Sequence, residues 1–224
     1  MPSLKECFPQ ELSVLEELFD RVRVAGVLSR LDEIHDYTEE RWQRYLAMLR
    51  DGLVHYLLIA EAAPWSPAGM PQYVLDPASR SRTLMRALRG AFLSPSVSRQ
   101  LDAGQALAEF ARQGLLVVDS IPFPMKYSSQ KRQSPKYNGL VRLTARSYLL
   151  KKLCDTKLSW SPNLSVAFSV KRNAEAVMKG LDHQLKLGDV RLDLGPEQIA
   201  VNGAGYPDAG KLRVSFDLPA NSNG

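Results

Sequence analysis

Four short, uninterrupted apolar runs constrain this chain more than any other feature. They occupy residues 56–60, 115–118, 164–169 and, more weakly, 198–202. Each is strand-length and bounded by turn residues, the pattern of a strand buried on both faces. Gly52 precedes the first run and prolines follow it; Gly114 introduces the second. Between the runs the apolar spacing changes to three and four residues. Residues 79–92 align Leu84, Leu88 and Ala91, and residues 96–112 align Val97, Leu101, Leu107 and Phe110. Further helices are expected over 140–154 and 173–181. Strands alternating with helices predict an α/β fold: a three-layer α/β/α sandwich with a central four-stranded parallel sheet.

The region before the first run reads as helical. Leu12, Leu15, Leu18, Phe19 and Val22 form one stripe over 11–23. Thr38 is expected to cap a second helix carrying Trp42, Tyr45, Leu46 and Leu49, which Asp51 and Gly52 end. The organisation expected is therefore a helical segment over 1–53 packing on the sheet, an α/β domain over 54–218, and a flexible tail over 219–224.

Composition narrows the classes. Hydrophobic residues make up 45% of 224, enough to bury a core without staples, and 24% charge is ordinary for a globular chain. No apolar run approaches the roughly 20 residues that span a bilayer, so no membrane partner is expected. The first ten residues lack a basic stretch followed by an apolar one, so a secretory signal is not expected. The 2 cysteines, Cys7 and Cys154, exclude a disulfide framework and a four-cysteine iron–sulfur site. No CxxC or HExxH spacing occurs. The reading is a cytoplasmic protein with no metal and no cofactor. No P-loop, nucleophile elbow or dinucleotide fingerprint follows a strand, which removes the usual support for nucleoside-triphosphatase, hydrolase and Rossmann functions.

Charge is distributed unevenly. Residues 1–63 hold 7 Lys/Arg against 12 Asp/Glu, whereas residues 64–180 hold 18 against 6. Within the basic part, residues 126–152 contain 8 basic side chains and no acid, with Tyr127, Tyr137 and Tyr148 interleaved. Such a mix without any acid favours phosphate contact over the alternative, a solvated face. The partner expected from it is a polyanion, most simply nucleic acid, double- or single-stranded.

Ligand sites in parallel sheets lie beyond the carboxyl ends of the strands. Glu61 directly follows the first run and Asp119 the second, so each carboxylate is aimed at that rim, to orient a water or to brace a loop. Phe123 is placed either to stack on a base or to plug the core. Ser169, Lys171, Arg172 and Asn173 stand at the junction after the third run, a plausible phosphate seat and also an ordinary turn. His35, His55 and His183 are read as structural or solvated.

Taken in order, the four strand-end segments resemble the uracil-DNA glycosylase superfamily. Ala60-Glu61-Ala62-Ala63-Pro64-Trp65 is similar to its first motif, 166–174 to a later strand-to-helix segment, and Gly205-Tyr206-Pro207-Asp208-Ala209-Gly210 to its last motif. The resemblance covers about 54–217. It implies a glycosylase that flips a modified base out of DNA and excises it hydrolytically. A hypermodified phage base, removed as antiviral defence, fits the small Ala62-Ala63 floor. The position of the family's water-activating residue falls on Ala62 or Ala63, so the resemblance implies that Glu61 or Asp119 orients the water. Tyr206 or Lys171 then supports the leaving base. The base pocket implied is Ala62, Pro64, Trp65, Tyr73, Ser120, Phe123 and Asn173. Phosphates fall to Lys126, Lys131, Arg132, Lys136, Ser169, Lys171, Arg172 and Lys211, with Lys211, Leu212 and Arg213 as candidates for a wedge. The alternatives are a catalytically inactive nucleic-acid-binding or sensor module of the same fold, and an enzyme acting on small nucleotides.

Overall fold

The computed structural model describes residues 7–65, 70–78, 82–182, 184–187, 190–193 and 207–219. The apolar runs become strands β1 (Leu53–Ala60), β2 (Leu115–Asp119) and β3 (Ser159–Phe168). They form a parallel sheet in the order β2-β1-β3. Among the described residues this sheet has three strands, not the four expected; the run at 198–202 lies outside them. A separate antiparallel pair, β4 (Gln184–Leu187) and β5 (Val190–Asp193), has no counterpart in the sequence reading.

β3 begins five residues before its apolar run. Leu53 and Val54 pair with Ser159 and Trp160, then the register slips so that Tyr56 meets Ser165. Pro162 lies in the skipped stretch. It has no N–H to give the ladder, so an irregularity there is where a sheet tolerates it.

The helices are more finely divided than the periodicity suggests. The first expected helix is two, α1 (Pro9–Leu18) and α2 (Arg21–Leu28), because Asp20 accepts a hydrogen bond from the Arg23 amide and restarts the chain. Next, α3 runs unbroken from Leu31 to Leu46. Thr38 lies in its middle instead of capping it, and its hydroxyl donates back to the His35 carbonyl at 3.0 Å. After α4 (Arg82–Phe92), the helix expected over 96–112 is also two, α5 (Pro95–Gln100) and α6 (Ala103–Arg112). Asp102 and Gln105 form a reciprocal capping box at the break.

Then come α7 (Ser129–Arg132) and α8 (Pro135–Thr144). One π-turn, Ala145–Leu149, links α8 to α9 (Leu150–Leu153). Last are α10 (Lys171–Gly180) and α11 (Ala209–Ser215).

Side chains alternate along β1, so helices meet both faces. On one face the Tyr56 ring packs on Phe92 of α4 and on Phe216, just after α11, with centroids 5.4 and 5.5 Å apart. Leu57 and Ile59, pointing the other way, are fully buried as well, and just past the end of β1 Glu61 meets Tyr137 of α8. This α/β arrangement is compatible with a three-layer sandwich. The outer edge of β2 is closed by α3: the buried Tyr45 hydroxyl donates to the Leu115 carbonyl at 2.7 Å. Gly114, at φ +75°, admits the turn into β2, where a Cβ would come within 2.6 Å of the His55 ring. The N-terminal helices share the core, with Phe8 edge-on to Phe123 and Phe19 edge-on to Tyr127. No helix among the described residues is long and apolar enough to cross a membrane.

Candidate functional site

The three strands end together, and a cleft of about 560 Å3 opens over their carboxyl ends. Its volume lies in the usual range for small-ligand sites, about 300–1,000 Å3. Residues 61–64 contribute from the end of β1, Asp119 from β2, and Ser169 and Val170 from β3. Ser128, Ser129 and Arg132 contribute from α7 and its cap, and Pro207 from the segment leading into α11.

Glu61 is the most heavily bonded of these side chains. The Arg132 guanidinium grips it from Nε to Oε1 at 2.8 Å and from Nη2 to Oε2 at 2.7 Å. The buried Tyr137 hydroxyl donates to Oε1 at 2.6 Å. The backbone is held too: Ile121 donates its amide to the Glu61 carbonyl, and the Ser120 hydroxyl donates to the same oxygen at 3.2 Å. Asn173, fully buried on α10, donates Nδ2 to the Ser120 hydroxyl at 2.7 Å. Its Oδ1 is buried with no protein partner. Burial first, then the Glu61 charge, pushes the Tyr137 phenol well above its ordinary range. The hydrogen bonds to Glu61 hold the Arg132 guanidinium above its own. Glu61 is thus a fixed carboxylate, oriented by a bidentate fork.

Asp119 has a different environment. It is buried, and desolvation, then repulsion from Glu61, pushes its carboxyl up to about 7, with the Ala63 amide pulling the other way as a donor. A carboxyl that titrates near neutrality at a cleft wall can take or give a proton there.

The cleft brings together Glu61, Asp119, Ala62, Pro64, Arg132 and Ser169 of the residues singled out in the sequence. Ser120 and Asn173 lie behind it, as the support of Glu61. Tyr206 lies outside the described residues, although Pro207 beside it lines the cleft. Lys171 is the exposed first residue of α10, next to the cleft-lining Val170. Other expected pocket residues lie elsewhere. Phe123 is in the core against Phe8, and Tyr73 is buried behind Asp119. Trp65 and Lys126 line a separate apolar groove of about 590 Å3.

The cations expected on phosphates mostly have protein partners. Lys131 donates to the Leu18 carbonyl at 2.6 Å and sits 4.2 Å over the Phe19 ring. Lys136 pairs with Glu17 at 3.3 Å and Arg172 with Glu175 at 3.0 Å. Lys211 is exposed on α11, and its amide is capped by Asp208. Of the wedge candidates, Leu212 is fully buried and Arg213 donates to the Ala91 carbonyl at 2.8 Å.

Tyr137 is the site residue that the sequence reading placed elsewhere, among the aromatics of the basic stretch. Its spacing with Val141 and Thr144 was the available signal, since all three are buried on one helix face. Among the described residues no group of three or more His, Cys, Asp or Glu is placed to hold a metal. Comparison with protein-family models, with curated proteins and with solved structures found no match.

Proposed function

We propose that this chain is a DNA glycosylase-like protein with a uracil-DNA glycosylase-like three-layer fold, acting in the cytoplasm. In this reading the cleft receives a modified base everted from DNA, and Asp119 activates the water that displaces it. The observation that carries the reading is Asp119 itself: a buried carboxyl titrating near 7, on the wall of the cleft at the strand ends.

Hydrolysis of an N-glycosidic bond develops positive charge on the sugar and negative charge on the departing base. Asp119, when ionised, abstracts a proton from water and faces the developing cation. Glu61 adds a negative charge that cannot swing away, because Arg132 and Tyr137 hold it. The start of α10 has no side-chain cap, so its amides and Lys171 supply the positive end toward the base anion. Hypermodified phage bases remain the favoured substrate class, since Ala62 and Ala63 leave the floor of the cleft small-sided.

Formation of abasic sites in DNAs carrying uracil, hypoxanthine, hydroxymethylated and glucosylated bases tests the proposal. Release from one of them by the wild type, and its loss in Asp119→Asn, is the expected result. One observation favours the inactive binding module instead: Glu61 is already occupied by two protein donors. DNA binding without release of any base supports that second reading.

A further inference from the structure

Asp119 and Ala63 form a partition. Both line the large cleft, and both also line a second, partly open recess of about 10 Å3. That is about the size of one water. Three hydroxyl-bearing side chains share its wall with Asp119: Tyr73, Tyr148 and Thr38. The rest of the wall is apolar, including Ile34, Ile121 and Pro122. A small polar space with two to four hydrogen-bonding groups and an apolar rim is the kind of site an ordered water occupies.

We propose that this recess holds one bound water, hydrogen-bonded between Asp119 and the hydroxyls of Tyr73 and Tyr148, and that the two tyrosines thereby act as positioning residues for Asp119. The four groups match the valence of water. It accepts from both phenols and donates to the Asp119 carboxylate and to Thr38 Oγ1. The Thr38 hydroxyl is free to accept because its own proton goes to the His35 carbonyl. The water fixes the carboxyl from the rear, so its front oxygen stays toward the cleft.

Three observations converge on the tyrosines. Tyr73 is buried, and a buried phenol normally finds a partner. Tyr148 belongs to the π-turn that interrupts the helix between Thr144 and Leu150, and such turns recur at functional sites. Burial first, then the Asp119 charge, raises the Tyr148 phenol, which keeps it protonated as a donor. Tyr73 is raised by burial and then by Tyr148, Asp119 and Glu39. The charged and titratable groups facing Asp119 are therefore Glu61 from the β1 end with Arg132 behind it, Tyr73 from the 71–76 loop, Tyr148 from the π-turn, and Glu39 of α3 beyond the tyrosines.

The use made of Asp119 rests on the proposed function, but the water does not. Two measurements on the DNA-free protein test it: a high-resolution crystal structure, and carboxyl titration by nuclear magnetic resonance in the wild type, Tyr148→Phe and Tyr73→Phe. The expected structure has one water within about 2.6–3.2 Å of Asp119 and both phenols. Removing either hydroxyl weakens a donor chain to the charged carboxylate, so the Asp119 midpoint rises by about one pH unit, a tenfold change in proton affinity. An empty recess, or a midpoint unmoved in both tyrosine variants, overturns the proposal. If either variant fails to fold, the other and the wild-type structure decide. Water found without base release contradicts the proposed function alone; base release without the water contradicts this inference alone.

Discussion

Arg132 meets the Glu61 carboxylate with two parallel hydrogen bonds, of 2.8 and 2.7 Å, across 71 residues of sequence. This fork fixes one of the two carboxyls at the cleft and separates its chemistry from that of Asp119. Glu61 is satisfied and oriented; Asp119 is desolvated and titrates near neutrality. One carboxyl held by a fork beside another pushed upward by burial gives the two groups different surroundings at one cleft.

Arg132→Gln removes the fork and leaves Glu61 with Tyr137 as its remaining side-chain donor. The pair is partly exposed, with side-chain exposures of 26% and 11%, so the loss is smaller than for a fully buried ion pair. A destabilisation of about 1–3 kcal/mol is expected in urea unfolding. A variant as stable as the wild type contradicts the role given to the fork.

Tyr45→Phe tests the sheet edge without touching the cleft. It leaves the buried Leu115 carbonyl without its 2.7 Å donor. The expected cost is about 1–3 kcal/mol of unfolding free energy. The titration of Asp119 is expected to stay where it is in the wild type.

Asp119 imposes a sign on the pH dependence of stability. Its carboxyl titrates at about 7 in the folded chain, above the unfolded value of about 3.9. Between those limits the native state holds a proton that the unfolded chain has lost, so stability falls as pH rises from about 4 to about 7. Above about 7 the penalty is constant. Asp119→Asn removes it, so the variant gains on the wild type by up to a few kcal/mol between pH 5 and pH 8. Urea midpoints of the two proteins at those pH values measure the gap, and a gap that does not widen contradicts the environment described for Asp119.

Under the proposed function, DNA binding depends on fewer cations than the sequence advertises. Within the basic stretch, Lys131, Arg132, Lys136 and Arg146 bond to protein groups, and Lys152 pairs with Glu39 while lying 5.0 Å over the Trp42 ring. Lys171→Ala therefore lowers the slope of log K against log salt by about 1, whereas Lys152→Ala leaves it unchanged. Fluorescence titration of a short duplex at several salt concentrations reads both. Equal effects of the two substitutions contradict this division of the lysines.

What was legible in the sequence followed from local physics. Buried strands show as unbroken apolar runs, and these placed Glu61 and Asp119 at strand ends. The break at Asp102 was written in its spacing to Gln105, but the apolar stripe on either side hid it. Thr38 carries the residue type of a cap, yet Leu31 and Ile34, both buried, start the same helix earlier. The site's support was not legible, because its bonds are long-range. Asn173 reaches Ser120 across 53 residues, and Tyr137 reaches Glu61 across 76. A run of basic residues likewise shows its charge but not its partners. Glu17, Glu39 and Glu61, which take three of those cations, all lie in the acidic first part of the chain.

The pH profile of base release under single-turnover conditions, for the wild type and Asp119→Asn on the same modified DNA, bears most directly on the central claim. The wild-type rate should rise with pH through an inflection near 7, the range in which the Asp119 carboxyl ionises. Asp119→Asn should be slower by about 10²–10⁴-fold at pH 8 and lose that inflection. An Asp119→Asn protein that releases the base at the wild-type rate would contradict the account.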